Sequence, residues 1–259
     1  ADRSSFNPLL QAWCPINPAS RFPRGYQVMF GDQDNPSFQA DKERGLVHVR
    51  YQYKVGKIGI DSPAGWSATV NGENGAVFVQ RFVFETDKPY PDESSVEFWL
   101  NGTGKIHAYN KDIVMPDNTV ENPYMFESEI LSPFTALQPG QSYSWSYDWY
   151  ATQIGGDYPV LDCSEIGVTA EPLRAKREGR QTHLTGRFGV FAPGTVRAEF
   201  FDAKGKLRTS HDLLKASPLE PLVISTDLET PKSATSIKLL WIGADGKTKG
   251  PFAQADLID

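Results

Sequence analysis

The chain has 259 residues, 39% hydrophobic and 22% charged, which is enough apolar material for one large β domain or two smaller ones. A net charge of −6 argues against a nucleic-acid binder, because a phosphate backbone calls for clustered Lys and Arg. No apolar run of about 18 residues occurs, so no membrane-spanning helix is expected.

The chain opens ADRSS, which reads either as a mature end after leader cleavage or as a cut boundary. Cys14 and Cys163 are too few to define a disulfide scaffold. They read either as two partly buried thiols or as one bridge, which would support an oxidising compartment. Asp32-Gln33-Asp34-Asn35 resembles the opening of a calcium loop, but Ser37 stands where the sixth-position glycine belongs, so the segment reads as a turn.

Strands follow almost without interruption. Leu46–Val55 sets Val47, Val49, Tyr51, Tyr53 and Val55 against His48, Arg50, Gln52 and Lys54, a period of two over ten residues. Ala76–Glu85 is rich in Val and Phe with Arg81 inserted, and Ser95–Asn101 sets Val96, Phe98 and Leu100 against Glu97, Trp99 and Asn101. Asn101-Gly102-Thr103 fits a glycosylation sequon, but at a strand end it reads as a β-turn. Met125–Leu131 sets Phe126 and Ile130 against Glu127 and Glu129, and Ser142–Tyr150 sets four aromatics against Ser144, Ser146 and Asp148. Trp145 and Trp149 are expected in the core, whereas Trp66 and Trp99 fit core and surface equally.

All ten Tyr lie at or before Tyr158. Residues 1–165 carry a charge of −9 and residues 166–259 a charge of +3. The turn-rich segment Gly155–Pro159 lies near this change, so two domains are expected, 1–165 and 166–259. The second shows strands over 182–190, 195–202, 207–211, 219–226 and 236–243, separated by turns such as Ala203–Lys206. Short strands so spaced suggest a small immunoglobulin-like β-sandwich. Residues 210–216 read either as a short helical turn or as a strand end.

No HExxH, CxxC, P-loop, GxSxG or GxGxxG motif occurs, and the four His are scattered, so neither metal nor cofactor is expected. The informative feature is the polar strand faces of the first part. They carry His48, Arg50, Lys54, Arg81, Glu97, Trp99, Glu127 and Glu129, long groups of mixed sign. Glu127 and Glu129 point the same way, roughly 7 Å apart. Paired carboxylates beside bases serve as general acid and base when their pKa values are driven apart. Sugar rings stack on exposed indoles, so Trp66 and Trp99 beside such groups suit a carbohydrate site. The plainer alternative is cross-strand ion pairing on a solvated sheet, contributing about 0.2–1 kcal/mol per pair.

Residues 17–36, 51–72, 95–102 and 121–152 (NPASRFPRGYQVMFGDQDNP, YQYKVGKIGIDSPAGWSATVNG, SVEFWLNG and ENPYMFESEILSPFTALQPGQSYSWSYDWYAT) resemble an uncharacterised bacterial family with the galactose-mutarotase-like supersandwich fold. The resemblance covers about residues 15–170. It implies an antiparallel sandwich with a carbohydrate cleft on one concave sheet, in a periplasmic or secreted setting. It further implies a glutamate base, Glu127 or Glu129, and a histidine acid, His48. Arg50, Lys54, Arg81, Glu97, Trp66 and Trp99 would then bind substrate. Relatives with this fold include aldose epimerases and non-catalytic parts of polysaccharide-degrading enzymes, so enzyme, accessory module and structural assembly module all stand as readings. A complete domain of that kind takes roughly 250 residues. The opening strands are missing from the match, so the sheet is smaller, the chain is a fragment, or a partner chain or second copy completes it.

Overall fold

The computed structural model describes residues 7–258. The chain is all-β, as its periodicity implies, with one short 3-10 turn, Pro91–Glu93, among the described residues. The strands are β1 (Leu10–Pro15), β2 (Gln27–Gly31), β3 (Phe38–Asp41), β4 (Leu46–Arg50), β5 (Gly56–Ile60), β6 (Trp66–Asn71), β7 (Ala76–Phe82), β8 (Val96–Leu100), β9 (Gly104–Ala108), β10 (Lys111–Met115), β11 (Phe126–Ile130) and β12 (Tyr147–Gln153). There follow β13 (Asp162–Cys163), β14 (Gly167–Glu178), β15 (Gln181–Val190), β16 (Gly194–Asp202), β17 (Leu207–Ala216), β18 (Leu222–Glu229), β19 (Ala234–Gly243) and β20 (Thr248–Ile258). They form two compact units. Among the described residues, the first holds those up to Glu73 and Phe78–Tyr150; the second holds Asn74–Val77 and those from Ala151.

The first unit is built on two sheets. One has the order β12-β7-β6-β1-β4-β3 and the other β11-β8-β5-β2, with β9 and β10 as a separate hairpin. Alternation drives the layering. Ala12, Cys14, Val47 and Val49 from the six-stranded sheet meet Ile58, Ile60, Val96, Phe98 and Leu100 from the four-stranded one in a single core. Burying each large apolar side chain stabilises by about 1.5–3 kcal/mol. A polar chain crosses this core: Ser128 Oγ lies 3.1 Å from Ser67 Oγ and donates to Gln80 Oε1 at 2.9 Å. These hydroxyl and amide groups satisfy one another, which keeps their burial from being costly.

The Leu46–Val55 alternation overstates one strand. The strand ends at Arg50, and Tyr53, three residues on, adopts φ 52°. Tyr51 and Tyr53 stay buried all the same, with their hydroxyls donating to the carbonyls of Asn101 (2.9 Å) and Asn122 (2.7 Å). Likewise only the end of Ser142–Tyr150 is strand, since β12 starts at Tyr147. Asp32–Asn35 is a turn, closed by Asn35 N donating to Asp32 O at 3.2 Å. Cys14 and Cys163 are not joined by a disulfide.

The second unit is a two-layer sandwich. β18-β15-β14 forms one layer, with β13 beside β14, and β17-β16-β19-β20 forms the other. The end of β20 crosses over and pairs parallel to β14 at Ala175–Leu257 and Lys176–Ile258. Leu184, Phe188, Val196, Phe200, Ile224, Leu239 and Trp241 fill the space between the layers. Gly194 lets the Trp241 indole cross close to its backbone, because a Cβ there would fall 2.4 Å from a ring carbon. β14 and β20 escaped the sequence reading, and residues 210–216 prove to be strand. β14 is interrupted by register shifts around Glu171, and β20 by shifts around Pro251, opposite Leu240 of β19, which erase a clean period of two.

Candidate functional site

Register brings part of the expected constellation together on the outer face of the four-stranded sheet. Glu127 faces Trp99 across β11–β8, and Trp99 faces Lys57 across β8–β5. In the next row Glu129 faces Glu97, which faces Gly59. Alternation with the core residues Phe98 and Ile58 puts all of these side chains on the side away from the core.

Lys57 organises the face. Its Nζ lies 2.6 Å from Glu97 Oε2 and 3.1 Å from Glu129 Oε2, and 5.4 Å from the Trp99 ring centroid. Phe30 meets the same indole edge-on at 5.5 Å. Glu97 is only 3% exposed. Gly59 opposite carries no side chain, and the Ser94 hydroxyl occupies the space a Cβ would take, 2.2 Å away. Gln27 Nε2 donates to that Ser94 hydroxyl at 3.1 Å.

The electrostatics follow from this packing. Burial pushes the Glu97 carboxyl above its ordinary range, and the Lys57 ammonium only partly offsets it while Glu129 adds like-charge repulsion. For Lys57, burial acts to lower the pKa, but the hydrogen bonds to Glu97 and Glu129 outweigh it and the net shift is upward. The ammonium is thus shared by two carboxylates and spoken for. Through Lys57 on β5, the enclosed Glu97 on β8 and Glu129 on β11 are tied together across the sheet. Glu127 differs: it is exposed, beside an indole that is 36% exposed, with no ion pair among the described residues.

The remaining expected residues lie elsewhere. His48 and Arg50 are on β4, on the outer face of the six-stranded sheet, with the hydrophobic core between them and the glutamates. His48 stacks on Trp13 at 4.1 Å, and its Nε2 sits 2.8 Å from Gln11 Oε1, which also accepts from Arg50 Nη2 at 3.2 Å. The expected partnership of His48 with Glu127 or Glu129 as acid and base is therefore not assembled. Lys54 lies past the end of β4 and donates to Thr103 Oγ1 at 3.0 Å. Trp66 is buried, its carbonyl 3.7 Å from the Cys14 sulfur, so it is a core indole. Arg81 sits half-buried on β7, on the face opposite Gln80 and Phe82.

A second surface went unread. Five rings run in file: Phe82 to Trp145 (6.2 Å between centroids), Trp145 to Tyr147 (5.3 Å), Tyr147 to Trp149 (6.0 Å) and Trp149 to Phe78 (5.4 Å). Phe82 is buried in the core, whereas Trp149 is 65%, Phe78 38% and Tyr147 37% exposed. Trp149 is thus a surface residue, against expectation. β12 is the edge strand of its sheet, so no further strand covers the outer end of the file. The alternation in SYSWSYDWY did put these aromatics on one face; edge position was what the sequence left open. Lys57 was missed because Gly56 and Gly59 break the alternation around it.

No family model matches this chain, and neither a curated protein nor a solved structure matches it.

Proposed function

We propose that the first unit binds carbohydrate without turning it over, stacking sugar rings on Trp149, Tyr147 and Phe78. The observation that carries this reading is the run of rings from core to solvent, anchored at Phe82 and open at Trp149. Exposed patches on a soluble protein are usually mixed in composition, and one made wholly of aromatic rings suits flat, amphipathic partners. The axial C–H groups of a sugar supply an apolar face of that kind, and its hydroxyls stay in water or reach neighbouring polar groups. Covering exposed ring surface contributes about 25 cal/mol per Å² removed from water. The absence of an assembled carboxylate–histidine pair at the expected positions favours binding over catalysis. The galactose-mutarotase-like resemblance of residues 15–170, the immunoglobulin-like reading of the second sandwich and a periplasmic or secreted setting belong to the same proposal.

A second placement has its own support. Trp99, Lys57 and Glu127 form a row in which an accessible indole stands beside an accessible carboxylate. Such a row suits a single sugar unit better than a chain.

The test is a panel of neutral and acidic oligosaccharides of increasing length, screened by glycan array and followed by calorimetry. Binding that strengthens from monosaccharide to longer oligomers is expected, because the file offers three exposed rings. Failure to bind any neutral or acidic glycan would overturn the proposal.

A further inference from the structure

The seam of the second sandwich holds a polar breach unrelated to the rings of the first unit. Its two layers meet along β17 on one side and the end of β18 on the other. There the structure has a small cavity of ≈ 280 Å³ lined by Arg180, Thr209, His211, Glu229 and Lys232. Three chain segments contribute. Arg180 lies in the β14–β15 turn, Thr209 and His211 lie on β17, and Lys232 lies in the β18–β19 turn. Thr230 N donates to the Arg180 carbonyl at 2.7 Å and ties the two turns together.

The charges around this cavity are unbalanced. Arg180 and Lys232 make no ion pair among the described residues, and Glu229 is the one carboxylate in the lining. His211 adds an unmet demand. Its ring stands edge-on to Phe200 at 6.1 Å, and its Nε2 is buried with no hydrogen-bond partner. Buried polar atoms in native proteins are nearly always satisfied, so an orphaned one marks a place where water or an ion completes the structure. Arg180 and Lys232 both line this hollow, and guanidinium and ammonium groups are the usual makings of an oxyanion site. The volume falls below the roughly 300–1,000 Å³ of organic-ligand pockets, which suits a small ion with its water.

We propose that this seam cavity binds a tetrahedral oxyanion, phosphate or sulfate, held by Arg180 and Lys232 with the Thr209 hydroxyl as a further donor. Bound there, the anion joins the β14–β15 and β18–β19 turns to β17 and tightens that end of the sandwich.

The experiment is thermal unfolding and calorimetry of the whole chain with inorganic phosphate, with sulfate, and with chloride at matched ionic strength. Phosphate is expected to raise the unfolding temperature in a saturable way, as required of a ligand that binds only the folded state. Sulfate acting like phosphate identifies a general oxyanion site; phosphate acting alone identifies a phosphate-selective one. In Arg180→Gln/Lys232→Gln, two exposed changes, the affinity is expected to fall at least tenfold. Lys232→Gln alone serves if the double variant does not fold, with a smaller loss expected. Phosphate and sulfate no better than chloride would overturn the proposal, as would an oxyanion effect undiminished in the variants.

Discussion

Lys57→Met should be among the most damaging single changes on the four-stranded sheet. It leaves Glu97, whose side chain is 4% exposed, without the ammonium now 2.6 Å away. Breaking a buried ion pair by removing one partner costs about 3–5 kcal/mol, because the other charge stays buried and unpaired. Lys57 is 14% and Glu129 25% exposed at the side chain, so water softens the effect and about 3 kcal/mol is expected. Glu97→Gln keeps a hydrogen-bonding partner and leaves Lys57 with Glu129, so about 1 kcal/mol is expected. Replacing both partners, Lys57→Met with Glu97→Leu, should recover much of the loss. The pH response gives an independent signature. The Glu97 carboxyl already titrates above its ordinary 4.5, so the folded state holds its proton more readily than the unfolded chain. Stability attributable to this group therefore rises as pH falls through its raised value toward the ordinary 4.5, and rises more in Lys57→Met, where burial acts unopposed. The upward-shifted Lys57 contributes stability that is complete below 10.5 and lost only as pH climbs through its raised value. Urea unfolding at pH 7 and 5.5, with midpoints compared at constant slope, measures all of this. A Lys57→Met cost below about 1 kcal/mol at pH 7, or no extra recovery on acidification, would be incompatible with a buried, paired Glu97.

Two further predictions concern the same unit and its neighbour. Burial pushes the Cys14 thiol up to about 12, whereas Cys163 is half-buried, so a thiol reagent at pH 8 should label at most one cysteine in the folded protein and two after unfolding. Labelling of Cys14 in the native state would contradict the core packing. Gly65→Ala should cost about 2 kcal/mol or more in a denaturant melt, because the residue sits at φ +71° and a Cβ would fall 2.3 Å from the Phe82 carbonyl oxygen. A neutral result would show that the loop before Trp66 is not held as described.

Much of the fold could be read from alternation because one face of each strand is sealed. Val96, Phe98 and Leu100 against Glu97 and Trp99 is the arrangement found, and Glu127 and Glu129 share a face as their spacing requires. Alternation assigns faces within a strand but says nothing of which strands are neighbours. His48 and Glu129 therefore looked like members of one surface and lie on different sheets. It is equally silent on edges. Trp149 and Trp145 occupy equivalent places in SYSWSYDWY, yet one packs on the core and the other is open to solvent. Glycine contacts were the other blind spot: Gly59 stands opposite Glu97 and gives its side-chain space to the Ser94 hydroxyl, a consequence of cross-strand register that linear spacing does not encode.

The most direct test of the account pairs Trp149→Ala with Trp99→Ala in calorimetric titration with the strongest-binding oligosaccharide. Sugar stacked on the ring file requires at least a tenfold loss for Trp149→Ala, about 1.4 kcal/mol, and a change within about twofold for Trp99→Ala. Unchanged affinity in Trp149→Ala, or the larger loss in Trp99→Ala, would contradict it and move the sugar off the ring file.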